Sequence, residues 1–124
     1  QDLAHWWGLD GQTRFLPADL NQADLGTAQY DGCLLGQITH YLTPQQNQSL
    51  FGRIHAALVA AGFLLLDVPM TSDQLDEDVS FLSLILWANS GGQAYRSADY
   101  QAWMCAAGFR SVEQLDSRWL KAVR

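Results

Sequence analysis

The chain has 124 residues, 48% of them hydrophobic, with 13 acidic residues against 7 basic ones and a formal net charge of -6. That length fits one domain and that apolar content can build a core. Scattered arginines and an acidic balance argue against nucleic acid or an anionic membrane surface as partners, because both need a basic face.

The apolar runs are shorter than the roughly 20 residues of a membrane span, and Asp2, His5 and Asp10 interrupt any leader-like stretch. Residues 2–9 read as the tail of a helix carrying Trp6 and Trp7, with Gly11 as a stop. Residues 13–18 read as a strand, Arg14-Phe15-Leu16, that Pro17 confines to an edge or an end. Residues 21–29 are polar and small, hence a loop. Residues 32–35 lack alternation, as expected of a strand covered on both faces. Cys33 lies in that strand and Cys105 in a later helix; with no CxxC pair, both read as buried reduced thiols in a cytoplasmic protein.

The strongest helix signal follows. Thr43 can cap it, Pro44 suits its first position and Gln46 completes a capping box. Leu50, Phe51, Ile54, Leu58 and Ala61 form one apolar stripe, and Gly62 is placed to end it. Residues 63–68 read as a second all-apolar strand ending at Asp67, Val68 and Pro69. Asp73, Asp76, Glu77 and Asp78 read as a solvated loop and helix start, not as a metal site. The helix over 77–88 is apolar nearly all round, so it is expected to be buried or to pack on another domain or subunit. Asn89-Ser90-Gly91-Gly92 stops it. Ser97 is expected to cap a last helix, closed by Gly108, before an antiparallel strand pair over 109–114 and 119–123. Ala-Ala-Gly-Phe at 60–63 and again at 106–109 reads as one helix-to-strand junction used twice. The order implies an α/β fold with a mostly parallel sheet.

One histidine stands out. The run Tyr30-Asp31-Gly32-Cys33-Leu34-Leu35-Gly36-Gln37-Ile38-Thr39-His40 puts His40 just beyond the carboxyl end of a strand. Ligands of open α/β sheets sit there, and an imidazole that titrates near neutrality can take a proton from a hydroxyl. The same histidine at a helix entry can serve only to hydrogen-bond its loop.

Five stretches together resemble the carboxyl-terminal part of class I S-adenosylmethionine-dependent methyltransferases. They are Phe15-Leu16-Pro17-Ala18-Asp19-Leu20, Tyr30-Asp31-Gly32-Cys33-Leu34-Leu35, Ile38-Thr39-His40, Gly62-Phe63-Leu64-Leu65-Leu66-Asp67, and Asn89-Ser90-Gly91-Gly92 with the helix ending Ala106-Ala107-Gly108-Phe109. More narrowly, the set is similar to small-molecule O-methyltransferases of the plant caffeate type and their bacterial relatives. The resemblance implies S-adenosylmethionine as cofactor of the intact protein and a small organic acceptor. It implies His40 as general base with Asp67 helping to hold it. It implies Asp19 as acceptor for the adenine amino group, Leu20 against the adenine face, and Ile85 and Asn89 lining the acceptor pocket. Asp19 also reads as a loop-capping acid, and Ile85, Phe81 and Trp87 as core or interface.

Two positions depart from the family pattern: Tyr41 and Leu42 stand where an acid and a tryptophan often follow the histidine, and Ala94 where a second carboxylate would orient it. No G-x-G stretch exists, so the glycine-rich cofactor loop is absent from the chain. The resemblance thus implies a partial Rossmann-like sheet lacking its first two strands, with residues 1–124 as the carboxyl-terminal portion of a catalytic domain, inactive by itself. Those strands would lie between the 14–18 strand and the 32–35 strand. Their absence exposes strand edges, so rearrangement, self-association through those edges or a loosely attached first segment is expected. Two rivals remain: a non-catalytic methyltransferase-like binding or assembly domain, and a Rossmann-type domain of another class, against which the terminal strand pair and Gly-Gly loop argue.

Overall fold

The computed structural model describes residues 5–9, 11–71 and 77–124. Strand β1 (Tyr30–Gly36) leads through a short 3-10 turn (Thr39–Tyr41) into helix α1 (Pro44–Ala57), which returns as strand β2 (Leu58–Asp67). Helices α2 (Glu77–Ser90) and α3 (Ser97–Ala106) precede strands β3 (Ser111–Gln114) and β4 (Trp119–Val123). The sheet has four strands in the order β1-β2-β4-β3. The β1–β2 pair is parallel, whereas β4 runs antiparallel to both β2 and β3. The sheet is therefore mixed, with one parallel pairing where a mostly parallel sheet was expected; the terminal pair is antiparallel, as its spacing predicts.

Helix α1 starts as its residues dictate. The Thr43 hydroxyl accepts the Gln46 N–H at 3.3 Å, and the Gln46 side chain accepts the Thr43 N–H at 2.8 Å. The stripe Leu50, Phe51 and Ile54 is buried. The helix ends at Ala57, five residues before Gly62. Long-range partners explain the early stop. The Ala56 and Ala57 carbonyls accept the N–H groups of Ala28 (2.9 Å) and Gln29 (2.7 Å), and the Arg124 guanidinium donates to the carbonyls of Ala56 and Leu58. Leu58 is thus the first residue of β2, and the first Ala-Ala-Gly-Phe lies inside a strand. Only the second marks a helix end, where Gly108 adopts a positive φ of 105°.

In β1 and β2, Gly32, Cys33, Leu34, Leu35 and Gly36 pair with Phe63, Leu64, Leu65, Leu66 and Asp67. Leu64, Leu66, Leu120 and Ala122 share one sheet face and pack with Leu50, Phe51 and Ile54 of α1 and Tyr100 and Met104 of α3. The opposite face differs from the expectation of cover on both sides: Leu34 is 64% exposed. The core helices α1 and α3 pack on the other face, so the apolar side chains of this one stay bare.

No strand forms over 13–18; these residues have no regular structure and are exposed. A strand needs a neighbour, and none is offered here. Of the helix expected over 2–9, only 5 and 6 are seen as helical, and residues 1–4 lie outside the described residues, as does the acidic loop 72–76. Ser97 is the first residue of α3 and Arg96 its cap, with the Asp99 carboxylate accepting the Arg96 N–H at 3.1 Å. Helix α2 buries Leu86 at 3% exposure, yet Phe81, Leu84, Ile85 and Trp87 are exposed. No described residue at 80–90 carries a charge, so this face is uniformly apolar or uncharged.

Candidate active site

The site is assembled where β1 ends. Gln37, at a φ of 54°, turns the chain out of the strand, and its N–H donates to the Asp67 carbonyl at 2.9 Å. The ends of β1 and β2 are thereby locked side by side, and the next residues close the 3-10 turn that carries His40. The imidazole is 4% exposed, and its ring stands 4.3 Å from that of Tyr41, centroid to centroid. Burial disfavours the charged ring and holds the His40 pKa below its ordinary value. The ring is therefore neutral at pH 7 and able to accept a proton. Its Nδ1 is buried without a hydrogen-bond partner.

The turn is held from three sides. Asn47 of α1, fully buried, donates from Nδ2 to the carbonyls of Thr39 (3.0 Å) and Leu42 (3.3 Å). The Tyr95 hydroxyl donates to the Leu42 carbonyl at 2.8 Å, and the Thr39 hydroxyl to that of Tyr100 at 3.2 Å. Tyr100 sits among Phe51, Tyr95 and Trp103 in edge-to-face contacts; burial pushes its hydroxyl pKa well up, so it stays protonated. Gly92 closes the third side: a Cβ there would overlap the His40 carbonyl. The Gly91-Gly92 turn can therefore lie directly on the histidine's backbone, and α2, which it follows, packs against the 3-10 turn.

Asp67 is at the end of β2, but its carboxylate forks onto Arg118, with Nη2 at 2.9 and 3.2 Å from its two oxygens. Its contribution to the turn is its backbone carbonyl. Asp19 is exposed; its Oδ1 accepts the Asn21 N–H at 2.9 Å and its carbonyl caps a turn to Gln22 and Ala23. Leu20 is half-buried against the core. Arg53 of α1 fixes this turn by donating to the carbonyls of Leu20 (2.7 Å) and Ala23 (2.8 Å). Ile85 and Asn89 both lie exposed on α2, joined by a bond from the Asn89 amide to the Ile85 carbonyl at 2.8 Å. His40 and α2 are brought together, whereas Asp19 and Leu20 are tied to the middle of α1. Among the described residues no cluster of three or more His, Cys, Asp or Glu side chains could hold a metal ion.

Sequence reasoning missed Asn47, Tyr95, Arg53 and Arg118. Asn47 had a readable signal: it is polar at a position three and four residues before Leu50 and Phe51, on the buried stripe. The others act across the chain and leave no local trace.

No protein-family model matches the chain, and no curated protein matches its sequence. Solved structures do match. A Nostoc punctiforme protein assigned as an O-methyltransferase superposes with a TM-score of 0.83 at 23% identity, over 99% of this chain and 39% of its own. An O-methyltransferase family protein from Burkholderia thailandensis gives 0.81 at 18%, over 98% and 38%. Human N-acetylserotonin methyltransferase, solved in complex with S-adenosylmethionine, gives 0.78 at 18%, over 95% and 37%. This chain thus spans less than two fifths of the length of these matches. Nearly all of its 124 residues are built on a part of the O-methyltransferase fold, in agreement with the carboxyl-terminal motifs read from the sequence.

Proposed function

We propose that this chain is the acceptor-side, carboxyl-terminal portion of an S-adenosylmethionine-dependent methyltransferase that methylates a hydroxyl of a small organic molecule. The observation that carries the reading is the buried imidazole of His40 on a turn beyond the carboxyl end of β1. The cofactor, when bound, supplies a methyl group on an already activated sulfonium leaving group. His40 takes the hydroxyl proton as the oxygen attacks, a contribution on the order of 10²–10⁴-fold for a positioned base. Ile85 and Asn89 lie on the acceptor side, and alignment of acceptor with donor adds several kcal/mol. Asp67 holds the turn through its carbonyl.

Asp19 fits the adenine end of the cofactor. Among the described residues only its Oδ1 is engaged, by Asn21, which leaves Oδ2 as an acceptor for an amino group, and Leu20 stands beside it as an apolar surface. The free cysteines Cys33 and Cys105 support a cytoplasmic setting, and among the described residues no helix is long and apolar enough to cross a membrane.

The bare edge of β1, seven residues long with Leu34 exposed, supports self-association of the 124-residue chain by strand pairing with a second copy. Sedimentation of this chain is expected to depend on concentration, and Leu34→Lys to abolish that dependence; a monomer at all concentrations refutes it.

Calorimetry of the polypeptide containing this chain is expected to show binding of S-adenosylmethionine and S-adenosylhomocysteine, and His40→Ala to lower kcat at least 10²-fold with cofactor affinity kept. Unchanged turnover in His40→Ala removes the base assignment. Absence of binding turns the reading to a non-catalytic assembly domain.

A further inference from the structure

We propose that Asn47 is a positioning residue that aims the His40 imidazole by clamping the backbone of its turn. The inference rests on His40 being the base proposed above. A working imidazole is ordinarily oriented by a hydrogen bond to its second ring nitrogen. Here Nδ1 has no such partner, and the carboxylate at the end of β2 is taken by Arg118. The direction of the ring therefore depends on the backbone that carries it.

Asn47 holds that backbone on both sides. Its Nδ2 bridges the carbonyl of the residue before His40 and that of the second residue after it. These are its hydrogen bonds; its Oδ1 is buried with none. A leucine on this apolar stripe would leave no orphaned oxygen, but it would take a donor from each of two carbonyls. What the amide supplies is the geometry of residues 39–42. Tyr95 adds a second hold on the Leu42 carbonyl, and Gly92 a steric floor beneath the His40 carbonyl.

Among the groups around the turn, His40 is the one whose ordinary value lies near neutrality. Burial pushes the Tyr95 and Tyr100 hydroxyls up, Asp67 is paired with Arg118 and Asp99 with Arg96, and α2 presents no charge over 80–90.

The test is nitrogen-15 NMR titration of the imidazoles in the 124-residue chain, wild type against Asn47→Leu, which keeps bulk and removes both donors. His40 is expected to titrate closer to the ordinary value near 6.5 in the variant, as water reaches a loosened turn. An unchanged His40 in a folded Asn47→Leu chain overturns the proposal. Should the variant fail to fold, the wild type decides: Asn47 side-chain amide protons that exchange slowly and show contacts to residues 39–42 support the clamp, and exchange at the rate of a free amide refutes it. None of these readings needs activity. Turnover of His40→Ala speaks separately to the base assignment, so the two ideas fail in different experiments. In the active polypeptide, Asn47→Leu is expected to lower kcat about tenfold with KM nearly unchanged, because misaim of a base costs the chemical step and not binding.

Discussion

The Asp67 carboxylate is engaged by Arg118 from the β3–β4 connection, at 2.9 and 3.2 Å, and not by the imidazole of His40 beyond the end of β1. The arginine is 56% exposed, so the pair is screened by water and salt. Arg118→Ala is expected to cost at most about 1 kcal/mol, less in 1 M salt, and to leave the His40 titration in place. Urea denaturation at two salt concentrations and NMR of His40 check both halves.

Burial of His40 ties stability to pH. The folded chain holds this pKa below that of the unfolded chain, so between the two values the unfolded state binds more protons. The contribution is fully present above about pH 6.5 and is lost as pH falls through the folded value. The urea midpoint is expected to drop on acidification below that point, and His40→Gln to flatten this part of the profile. A profile identical in both proteins contradicts the buried neutral ring.

Gly92 lies where a side chain has no room, because a Cβ there would meet the backbone of His40 and Tyr41. Gly92→Ala is expected to cost about 1–3 kcal/mol through forced displacement. Gly36→Ala serves as the control, since a Cβ there meets open space. Thermal unfolding of both variants makes the comparison.

Burial was expected of both cysteines, yet they differ in access. Cys105 is exposed, whereas Cys33 is partly covered and burial pushes its thiol pKa up. A thiol reagent at neutral pH is expected to modify Cys105 first and Cys33 slowly, since only the thiolate attacks. Mass mapping of the first label distinguishes them; equal rates contradict the burial of Cys33.

Local chemistry made part of this molecule legible. The α1 start was readable because Thr43, Pro44 and Gln46 act within one turn. The antiparallel terminal pair and the place of His40 followed from short-range order in the same way. The end of α1 was not readable: Gly62 is a plausible stop, yet the decisive partners are Ala28, Gln29 and Arg124, up to 68 residues away in sequence. The strand expected over 13–18 failed because strand propensity is realised only beside a neighbour. At the site, residue type pointed to His40, but not to what holds it. Arg118 and Tyr95 act from 51 and 53 residues away in sequence, on Asp67 and Leu42.

The position of β4 has a consequence for biogenesis. Its five residues are synthesised after those of β2 and β3, yet they fill the gap between them. Until residues 119–123 have left the ribosome, β2 has an unsatisfied edge and β3 has no mate. Emerging chains must therefore keep Phe63, Leu64 and their neighbours from sticking to one another until those residues follow. A chain cut just before Trp119 would lose an inner strand of the sheet and not merely trim its rim.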